Sequence, residues 1–489
     1  MTSGQDSRAG RRTPDRLPAG ALLSISLLVG SSFVMVLNET VMTVALPVLV
    51  GDLGVSVSTA QWLSSGYLLT MAVVVPTTGY ILERWTPRRT YLAAMTLFGA
   101  GTLLCGLAPG FALLLTGRIV QAAGSAIMVP LLMTSILALV PTSRRGQVMG
   151  MMSIVLAVAP AVGPTAAGAV LATLGWRWMF WLVLPIALVA LAAGTRWLHI
   201  ESETSRARLD VWSVVLTAGA FSTLVYGLTR IGEVGASASE APLGLPSWAW
   251  VLAGAVLLTV FVLRQLLLQR TGSALLDLRP FTVPAYTVSL ILAVASYMAL
   301  FSAVILLPFY VQGVLGRSAF VAGLVVLPGG AVMGLLSPLV GRAYDRLGVR
   351  ALVVPASVLL CLTLWTFASF GAATPVWLVV LVHVVMSIGL AMNFTPLVTD
   401  ALGALPRPLH AHGSAIMTTS QQLGGAAGAA LFVTVMTLWS ADPAGEPDST
   451  GVRSAFVVAA AISTAVLAGS LLLGRGRPES TGSAAAVRE

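Results

Sequence analysis

Two charged side chains stand inside apolar stretches of this sequence, where little water can solvate them. Glu39 and Arg118 are the two that fall deep within long apolar runs, out of 27 basic and 18 acidic residues. A charge in hydrocarbon is costly unless it is paired or faces water, so such a residue marks a substrate or ion pathway by default. A carboxyl group can carry a proton, whereas an arginine stays charged at any accessible pH. We predict a proton relay in which Arg118 biases the protonation of Glu39; an ion pair that only fixes helix packing is the alternative.

The apolar runs around these charges predict an all-α integral membrane protein. The chain is 57% hydrophobic and 9% charged, with a mean hydropathy of +0.92, whereas about a quarter of residues in soluble proteins are charged. A helix of about 20 apolar residues crosses a bilayer, which predicts fourteen spans. They lie near residues 21–50, 57–82, 90–108, 111–140, 147–174, 176–198, 211–230, 248–269, 284–312, 320–341, 349–371, 376–403, 412–440 and 452–474.

The arginines predict the orientation of these spans. Cytoplasmic loops of membrane proteins carry an excess of basic residues. With the N-terminus inside, all but five of the 27 arginines fall on the cytoplasmic side, and the exceptions are Arg118, Arg177, Arg230, Arg317 and Arg453. We therefore expect a plasma (inner) membrane protein with cytoplasmic tails at residues 1–20 and 475–489.

An internal repeat divides the chain. The loops after the second and tenth spans share the pattern G-x-x-x-[DE]-R, formed by Gly79, Glu83, Arg84 and, further on, Arg88, and by Gly341, Asp345 and Arg346. The order of the spans around the loops also matches, which predicts two six-helix bundles at residues 21–198 and 284–474. Two extra spans, near residues 211–230 and 248–269, lie in the linker 199–283. The acid in each loop predicts ion pairs that close the cytoplasmic side and break when the bundles rock.

Two further spans carry patterned residues. Arg118, Gln121 and Ser125 share one face of the fourth span, predicted to point at a central cavity; an ordinary interhelical hydrogen bond is the alternative for Gln121. In the fifth span, small residues permit close helix approach and prolines bend the helix, which predicts a gating helix, with packing alone as the alternative. Its residues are Pro160, Gly163, Pro164 and Gly168, and the thirteenth span repeats the small-residue spacing with Ser420, Gly424 and Gly428.

Several of these patterns resemble motifs of one transporter family. The run from Arg118 to Ala126 resembles R-x-x-Q-G-x-G-x-A, and Gly163 to Gly168 resembles the antiporter motif G-P-x-x-G-G. Together with the two loops, they make the chain resemble the major facilitator superfamily, and within it the fourteen-span drug:proton antiporters. The resemblance implies the fold of that superfamily, with two six-helix bundles and two inserted helices. It also implies efflux of hydrophobic or amphipathic small molecules, driven by the proton gradient without a cofactor.

The first span departs from the family pattern. The segment Leu37 to Pro47 resembles L-D-x-T-[IV]-x-N-x-A-L-P, but Asn38 occupies the acidic position and the carboxylate follows at Glu39. One residue further along a helix, a side chain points about 100° away. The resemblance therefore implies the proton-site role for Glu39, whose side chain points in a different direction from that of the acid in the family motif.

The resemblance also implies which residues line the cargo cavity, although plain core packing is the alternative for each. They are Asn38, Met42, Thr43, Gln121, Ser125, Tyr297, Met298, Phe301, Asn393 and Phe394. The sparse charge in the spans favours one competing transport function, the movement of lipids or long-chain amphiphiles.

Other classes of function are disfavoured. A metalloenzyme needs clustered ligands, yet His199, His383, His410 and His412 form no deep set, and we expect His410 and His412 in a solvated cytoplasmic loop. No metal site is expected. A channel needs a continuous polar pore, and a nucleic-acid partner needs a basic stripe. The sequence shows neither pattern. The expected partners are a small amphipathic substrate, protons and the bilayer, with the chain as a monomer.

Overall fold

The computed structural model describes most of the chain, and the described part consists of helices joined by short connections. It covers residues 19–55, 57–141, 144–198, 200, 210–232, 245–270, 274–317, 319–440 and 449–474. No strand occurs among these residues, which confirms the all-α prediction. The predicted tails lie outside the described residues, apart from Ala19 and Gly20, which open the first helix.

Fifteen α-helices are present in the described ranges. They are α1 (Ala19–Leu53), α2 (Val57–Val74), α3 (Thr78–Arg84), α4 (Pro87–Leu107), α5 (Phe111–Leu139), α6 (Arg145–Thr173), α7 (Arg177–Trp197), α8 (Val211–Gly232), α9 (Ser247–Gln269), α10 (Pro284–Phe309), α11 (Ala319–Leu347), α12 (Val349–Ser369), α13 (Val376–Gly403), α14 (His410–Leu438) and α15 (Ser449–Ser470). A 3₁₀ turn at Val75–Thr77 joins α2 to α3. It contains Pro76, which cannot donate a backbone hydrogen bond.

Twelve helical segments of the described chain are long and apolar enough to cross a membrane. They include α2 and α3 taken together, as well as the inserted pair α8 and α9. The other two long helices are α4 and α6. Helix α4 packs against α5 and α7, and α6 packs against α1 and α11. The predicted count of fourteen spans stays a prediction.

The packing of the N-terminal helices recurs among the C-terminal helices. Helix α1 contacts α2, α5, α6 and α7, and α10 contacts the corresponding α11, α13, α14 and α15. Likewise, α4 packs on α5 and α7, as α12 packs on α13 and α15. The same neighbours in the same order match the repeat in the sequence.

The two sets of helices meet along α6 and α14. Helix α6 packs on α11 and α13, and α14 packs on α3, on α5 and on the 3₁₀ turn that joins α2 to α3. The inserted hairpin, α8 with α9, lies at this seam because α8 contacts both α2 and α14. A bidentate ion pair between Asp210 and Arg264 joins the two helices of the hairpin at 2.9 Å. This ion pair and its hydrogen bonds hold the pKa of Asp210 below its usual value.

Glycines bring α4 and α5 into backbone contact. A Cβ atom on Gly101 would lie 2.5 Å from the backbone nitrogen of Gln121, and one on Gly117 would lie 2.6 Å from the sulfur of Cys105. Further along, Gly124 meets the backbone of Ala94. This antiparallel contact fixes the height and rotation of α5, the helix that carries Arg118.

We expect Gly101→Ala to destabilise the fold, because its methyl group has no room against the backbone of α5. Overpacking of this kind costs about 1–3 kcal/mol. Thermal unfolding of the detergent-purified protein should show a melting temperature several degrees lower. The matched control is Gly99→Ala on the same helix, where an added Cβ meets no atom within 4 Å. Alanine there should stabilise the helix by up to about 1 kcal/mol; equal shifts for the two variants would contradict the packing described.

Candidate functional site

Neutral oxygen atoms from three helices hold the buried guanidinium of Arg118. The residue is 1% exposed. Its Nη1 donates to Asn38 Oδ1 at 3.1 Å and to Gln121 Oε1 at 2.8 Å, and its Nε donates to the carbonyl of Leu63 at 3.4 Å. Helices α1, α2 and α5 therefore each provide an acceptor for one buried positive charge, and none of these acceptors is negatively charged.

Two more contacts complete this network. The guanidinium carbon of Arg118 lies 4.2 Å from the centre of the Tyr67 ring, a geometry that favours a cation. Gln121 Nε2 donates to Thr102 Oγ1 at 2.8 Å, which turns its oxygen toward Arg118. Ser125 donates to the carbonyl of Gln121 at 3.2 Å. Arg118, Gln121 and Ser125 thus lie on one face of α5. No sequence pattern indicated Thr102 or the carbonyl of Leu63.

Glu39 lies near Arg118 without being bonded to it. The described side chains form no salt bridge between the two residues, because Asn38 occupies the place beside the guanidinium. Half-buried, Glu39 lies within electrostatic range of Arg118 on α5, Tyr67 on α2 and Tyr297 on α10. The carboxyl group therefore faces the space between the N-terminal and C-terminal helices and not the lipid.

An aromatic cluster stands on the C-terminal side of this space. It consists of Tyr297, Phe301 and Phe394, with ring centres 5.2 Å apart for Tyr297 and Phe301 and 5.7 Å apart for Tyr297 and Phe394. Met298, next in sequence, packs against α14 at Gly424. The structure thus brings the predicted aromatic cavity residues together.

Other predicted cavity residues are enclosed in this state. Met42 is 1% exposed and packs in an apolar core with Leu114 and Trp176. Asn393 is also fully buried; its Nδ2 donates to the carbonyl of Gly389 at 3.4 Å, and its Oδ1 has no partner among the described residues. The side chain of Thr43 lies outside the described residues.

The predicted gating helix touches α1 beside the candidate proton site. A Cβ atom on Gly163 would clash with the hydroxyl group of Thr40, the residue after Glu39. The C-terminal counterpart is the approach of Gly424 and Gly428 of α14 to Met298 of α10. Glycines therefore let the fifth helix of each unit lie against its first helix. The surroundings of three further predicted residues lie outside the described part, namely Pro160, Pro164 and Gly168.

The acids of the two repeated loops both reach across the seam. We call the end of the bundle that carries them the motif end. The carboxylate of Asp345 accepts hydrogen bonds from the backbone nitrogens of Gly146 at 2.9 Å and Gln147 at 3.1 Å, at the start of α6. Negative charge is stabilised at a helix N-terminus. Glu83 Oε1 lies 2.9 Å from His412 Nε2 at the start of α14.

The glycines and arginines of these loops have different neighbours. Gly341 lies against the backbone of Gly146, and a Cβ atom on Gly79 would lie 2.9 Å from His412 Nδ1. Arg88 bonds instead to the carbonyl of Thr195, which ties α4 to α7. The two arginines that directly follow the acids, Arg84 and Arg346, are exposed. The acid and the glycine of each loop therefore make the contacts across the seam described here.

The expectation that His410 and His412 lie in a solvated loop is wrong. Both belong to the first turn of α14, and His412 is 4% exposed. Its Nδ1 accepts a hydrogen bond at 3.3 Å from the backbone nitrogen of Asp277, whose side chain accepts one from Gln269 of α9 at 2.9 Å. Burial alone would raise the pKa of Asp277, but the hydrogen bonds and charge of Arg279 hold it below its usual value. The inserted hairpin is thereby linked to the motif end, which no sequence pattern indicated.

Comparison with known proteins gives consistent results along the chain. The family model described as Major Facilitator Superfamily matches residues 28–429. A lincomycin resistance protein of Listeria monocytogenes is 37% identical over 83% of this chain and 84% of its own length. One from Bacillus subtilis is 36% identical over 93% and 95%. A multidrug resistance protein B homolog of Mycobacterium tuberculosis is 30% identical over 88% and 79%.

A solved structure has the same fold. The human organic anion transporter MFSD10 aligns over 93% of this chain and 100% of its own, with a TM-score of 0.65 and 16% identity. At that identity the likeness concerns the fold alone.

We expect the double variant Glu83→Gln and Asp345→Asn to open the motif end, because charge-assisted hydrogen bonds of this kind contribute about 1–3 kcal/mol each. The measurement is the distance between spin labels on cysteines that replace the exposed residues Arg89 and Arg342, on opposite sides of the seam. The wild-type protein should give one short distance, and the double variant should add a longer component.

The labels require a background in which Cys105 and Cys361 are replaced by alanine. Asp210→Asn is the control, since the partner of Asp210, Arg264, lies within the inserted hairpin. If the double variant gives the same distance distribution as this control, the two acids do not hold the motif end closed.

Proposed function

We propose, from the premise that the chain belongs to the major facilitator superfamily, that it expels amphipathic drugs in exchange for protons. It is a multi-pass membrane transport protein and not an enzyme. The relatives named for lincomycin and multidrug resistance support drug efflux. The observation that carries the proton-coupled part is the position of Glu39 between the two sets of helices, beside an arginine whose hydrogen bonds go to neutral groups.

Glu39 carries the proton in this proposal. Desolvation favours the neutral form of a carboxyl group, whereas a positive charge nearby favours the ionised form. The guanidinium of Arg118 bonds to Asn38 and not to the carboxylate, so no ion pair holds Glu39 in its charged form in this proposal. A small change in hydration during the transport cycle can then shift the balance between the neutral and the ionised form.

The export cycle follows from competition for this space. A proton that enters from outside neutralises Glu39 and weakens its attraction for a cargo with a positive group, which leaves outward. The protonated protein returns to the inward-open state and releases the proton into the cytoplasm, where new cargo binds. The gradient drives export because protonation and cargo occupancy exclude one another. No cofactor takes part.

The bonds of the motif end define the closed state of the cytoplasmic side. Glu83 with His412 and Asp345 with the start of α6 must both break when the bundles rock. The close approach of Gly163 to Thr40 lets α6 slide beside Glu39 during this movement. The gate is thereby coupled to the proton site through one helix.

The proposal includes the full membrane topology. We place fourteen spans in two six-helix bundles with α8 and α9 between them, and the motif end and both tails in the cytoplasm. The backbone contact of α4 with α5, and that of Gly150 in α6 with Ser337 in α11, support spanning roles for α4 and α6. The chain works as a monomer in the plasma membrane.

We expect Glu39→Gln to abolish proton-driven export while the protein still folds and binds cargo, because glutamine has the shape of the protonated acid but cannot titrate. Inverted membrane vesicles with an acidified interior should accumulate lincomycin or ethidium when they contain the wild-type protein. Collapse of the pH gradient should stop this accumulation.

The matched control is Glu479→Gln in the predicted C-terminal tail, which should transport as the wild-type protein does. Gradient-driven accumulation by Glu39→Gln at the wild-type rate would move the proton site to another residue. Accumulation by the wild-type protein that survives loss of the gradient would rule out proton coupling.

A further inference from the structure

Helix α14 keeps three polar side chains buried without partners among the described residues, namely Thr418, Thr419 and Gln421. Thr419 is 7% exposed and lies on a different face of the helix from the other two. Thr418 Oγ1 and Gln421 Nε2 form no hydrogen bond within the described structure, although the residues are 8% and 6% exposed. A buried donor that lacks an acceptor is costly, and most such groups in folded proteins are paired. Thr418 and Gln421, which share one face of the helix, therefore call for an acceptor that the described residues do not provide.

Thr418 and Gln421 lie on the face of α14 that meets the aromatic cluster. Thr418, Gln421 and Gly425 are spaced at i, i+3 and i+7 and so share one face of the helix. On that face, a Cβ atom on Gly425 would lie 3.1 Å from the ring of Phe301 and 3.2 Å from that of Tyr297. The two unpartnered groups therefore stand on the same side of α14 as the aromatic rings, one and two turns nearer the motif end.

The same face continues to the seam with the N-terminal helices. Ser414, one turn before Thr418, has its hydroxyl group 3.4 Å from the carbonyl of Pro130 and 3.3 Å from the sulfur of Met133, both on α5. Helices α5 and α14 run in opposite directions from this contact. At about 1.5 Å per residue, Gln421 lies roughly 10 Å from this contact, in the direction away from the motif end. On α5 the same distance leads from Pro130 to the stretch between Ser125 and Arg118.

We propose that Thr418 and Gln421 form a hydrogen-bonding subsite for the oxygen atoms of the cargo. Their donors bind a carbonyl, hydroxyl or ether oxygen, and the apolar part of the cargo lies against Tyr297, Phe301 and Phe394. The face from Ser414 to Gly425 holds only neutral side chains among these positions, so the oxygen-bearing part of the cargo is uncharged. Any positive group lies on the other side, near Glu39. This inference rests on the proposed export function and names its cargo class.

If Thr418 and Gln421 only stabilised the fold, their replacement would lower the melting temperature. Gln421→Leu and Thr418→Val remove donors that have no partner, so neither change costs a hydrogen bond within the protein. We expect the melting temperature without cargo to stay equal to that of the wild type or to rise. Loss of export without loss of stability therefore separates a binding role from a packing role.

The test uses two probes with different acceptors. Lincomycin has an amide carbonyl and several hydroxyl groups, whereas ethidium has no oxygen atom. In inverted vesicles, Gln421→Leu should raise the KM for lincomycin by about fivefold, as expected for one lost hydrogen bond, and leave the KM for ethidium within about twofold. The matched controls are Gln422→Leu and Thr419→Val, whose side chains point about 100° away on the same helix. Thr419 Oγ1 is also buried without a partner among the described residues, so Thr419→Val separates the effect of the face from that of an unpaired donor.

Each result supports or contradicts the proposed subsite. A selective loss for lincomycin in Gln421→Leu, smaller in Thr418→Val and absent in both controls, supports the subsite. An unchanged KM for lincomycin, an equal loss for both probes, or a lowered melting temperature contradicts it. A wild-type protein that exports neither probe contradicts the proposed function itself, and this outcome is seen before any variant is compared.

Discussion

The guanidinium of Arg118 is a permanent charge in the interior of a membrane protein, and the arrangement of the N-terminal helices follows from the need to solvate it. Water cannot reach it, so oxygen atoms from α1, α2 and α5 converge on the group. The glycine contact between α4 and α5 brings Thr102 to the place where it orients Gln121. The hydrogen bonds that solvate one buried side chain thus link α1, α2 and α5, and through Gln121 and Thr102 they also include α4.

The choice of neutral partners for Arg118 has a functional consequence. An acid at position 38 would stand beside the guanidinium and form an ion pair, whereas Asn38 solvates the charge without neutralising it. Glu39 then lies within range of the positive charge but free of it, on the side of α1 that faces the aromatic cluster. In the proposed cycle, the shift of the carboxylate by one residue therefore places the proton site on the side of the aromatic cluster. Gly163 of α6 touches the neighbouring residue Thr40.

Much of this arrangement could be predicted from periodicity and motifs, and the remainder depends on how helices rotate against one another. Spacing alone placed Arg118 and Gln121 on one face, and the resemblance pointed to Tyr297, Phe301 and Phe394. Sequence could not show that Asn38 contacts Arg118, because the rotation of α1 against α5 is set by packing. His412 was misjudged since a histidine near a helix start usually meets solvent. The roles of Thr418 and Gln421 could not be predicted, because small residues surround them in the sequence and a binding face and a packing face then show the same pattern.

If Glu39 exchanges its proton for cargo, as we propose, then binding of cargo must release protons. Titration calorimetry of the purified protein with lincomycin, repeated in buffers of different ionisation enthalpy, counts the protons released per bound molecule. We expect release of a substantial fraction of one proton by the wild-type protein at a pH where Glu39 is protonated, and none by Glu39→Gln. Equal proton release by the two proteins would contradict this proposal.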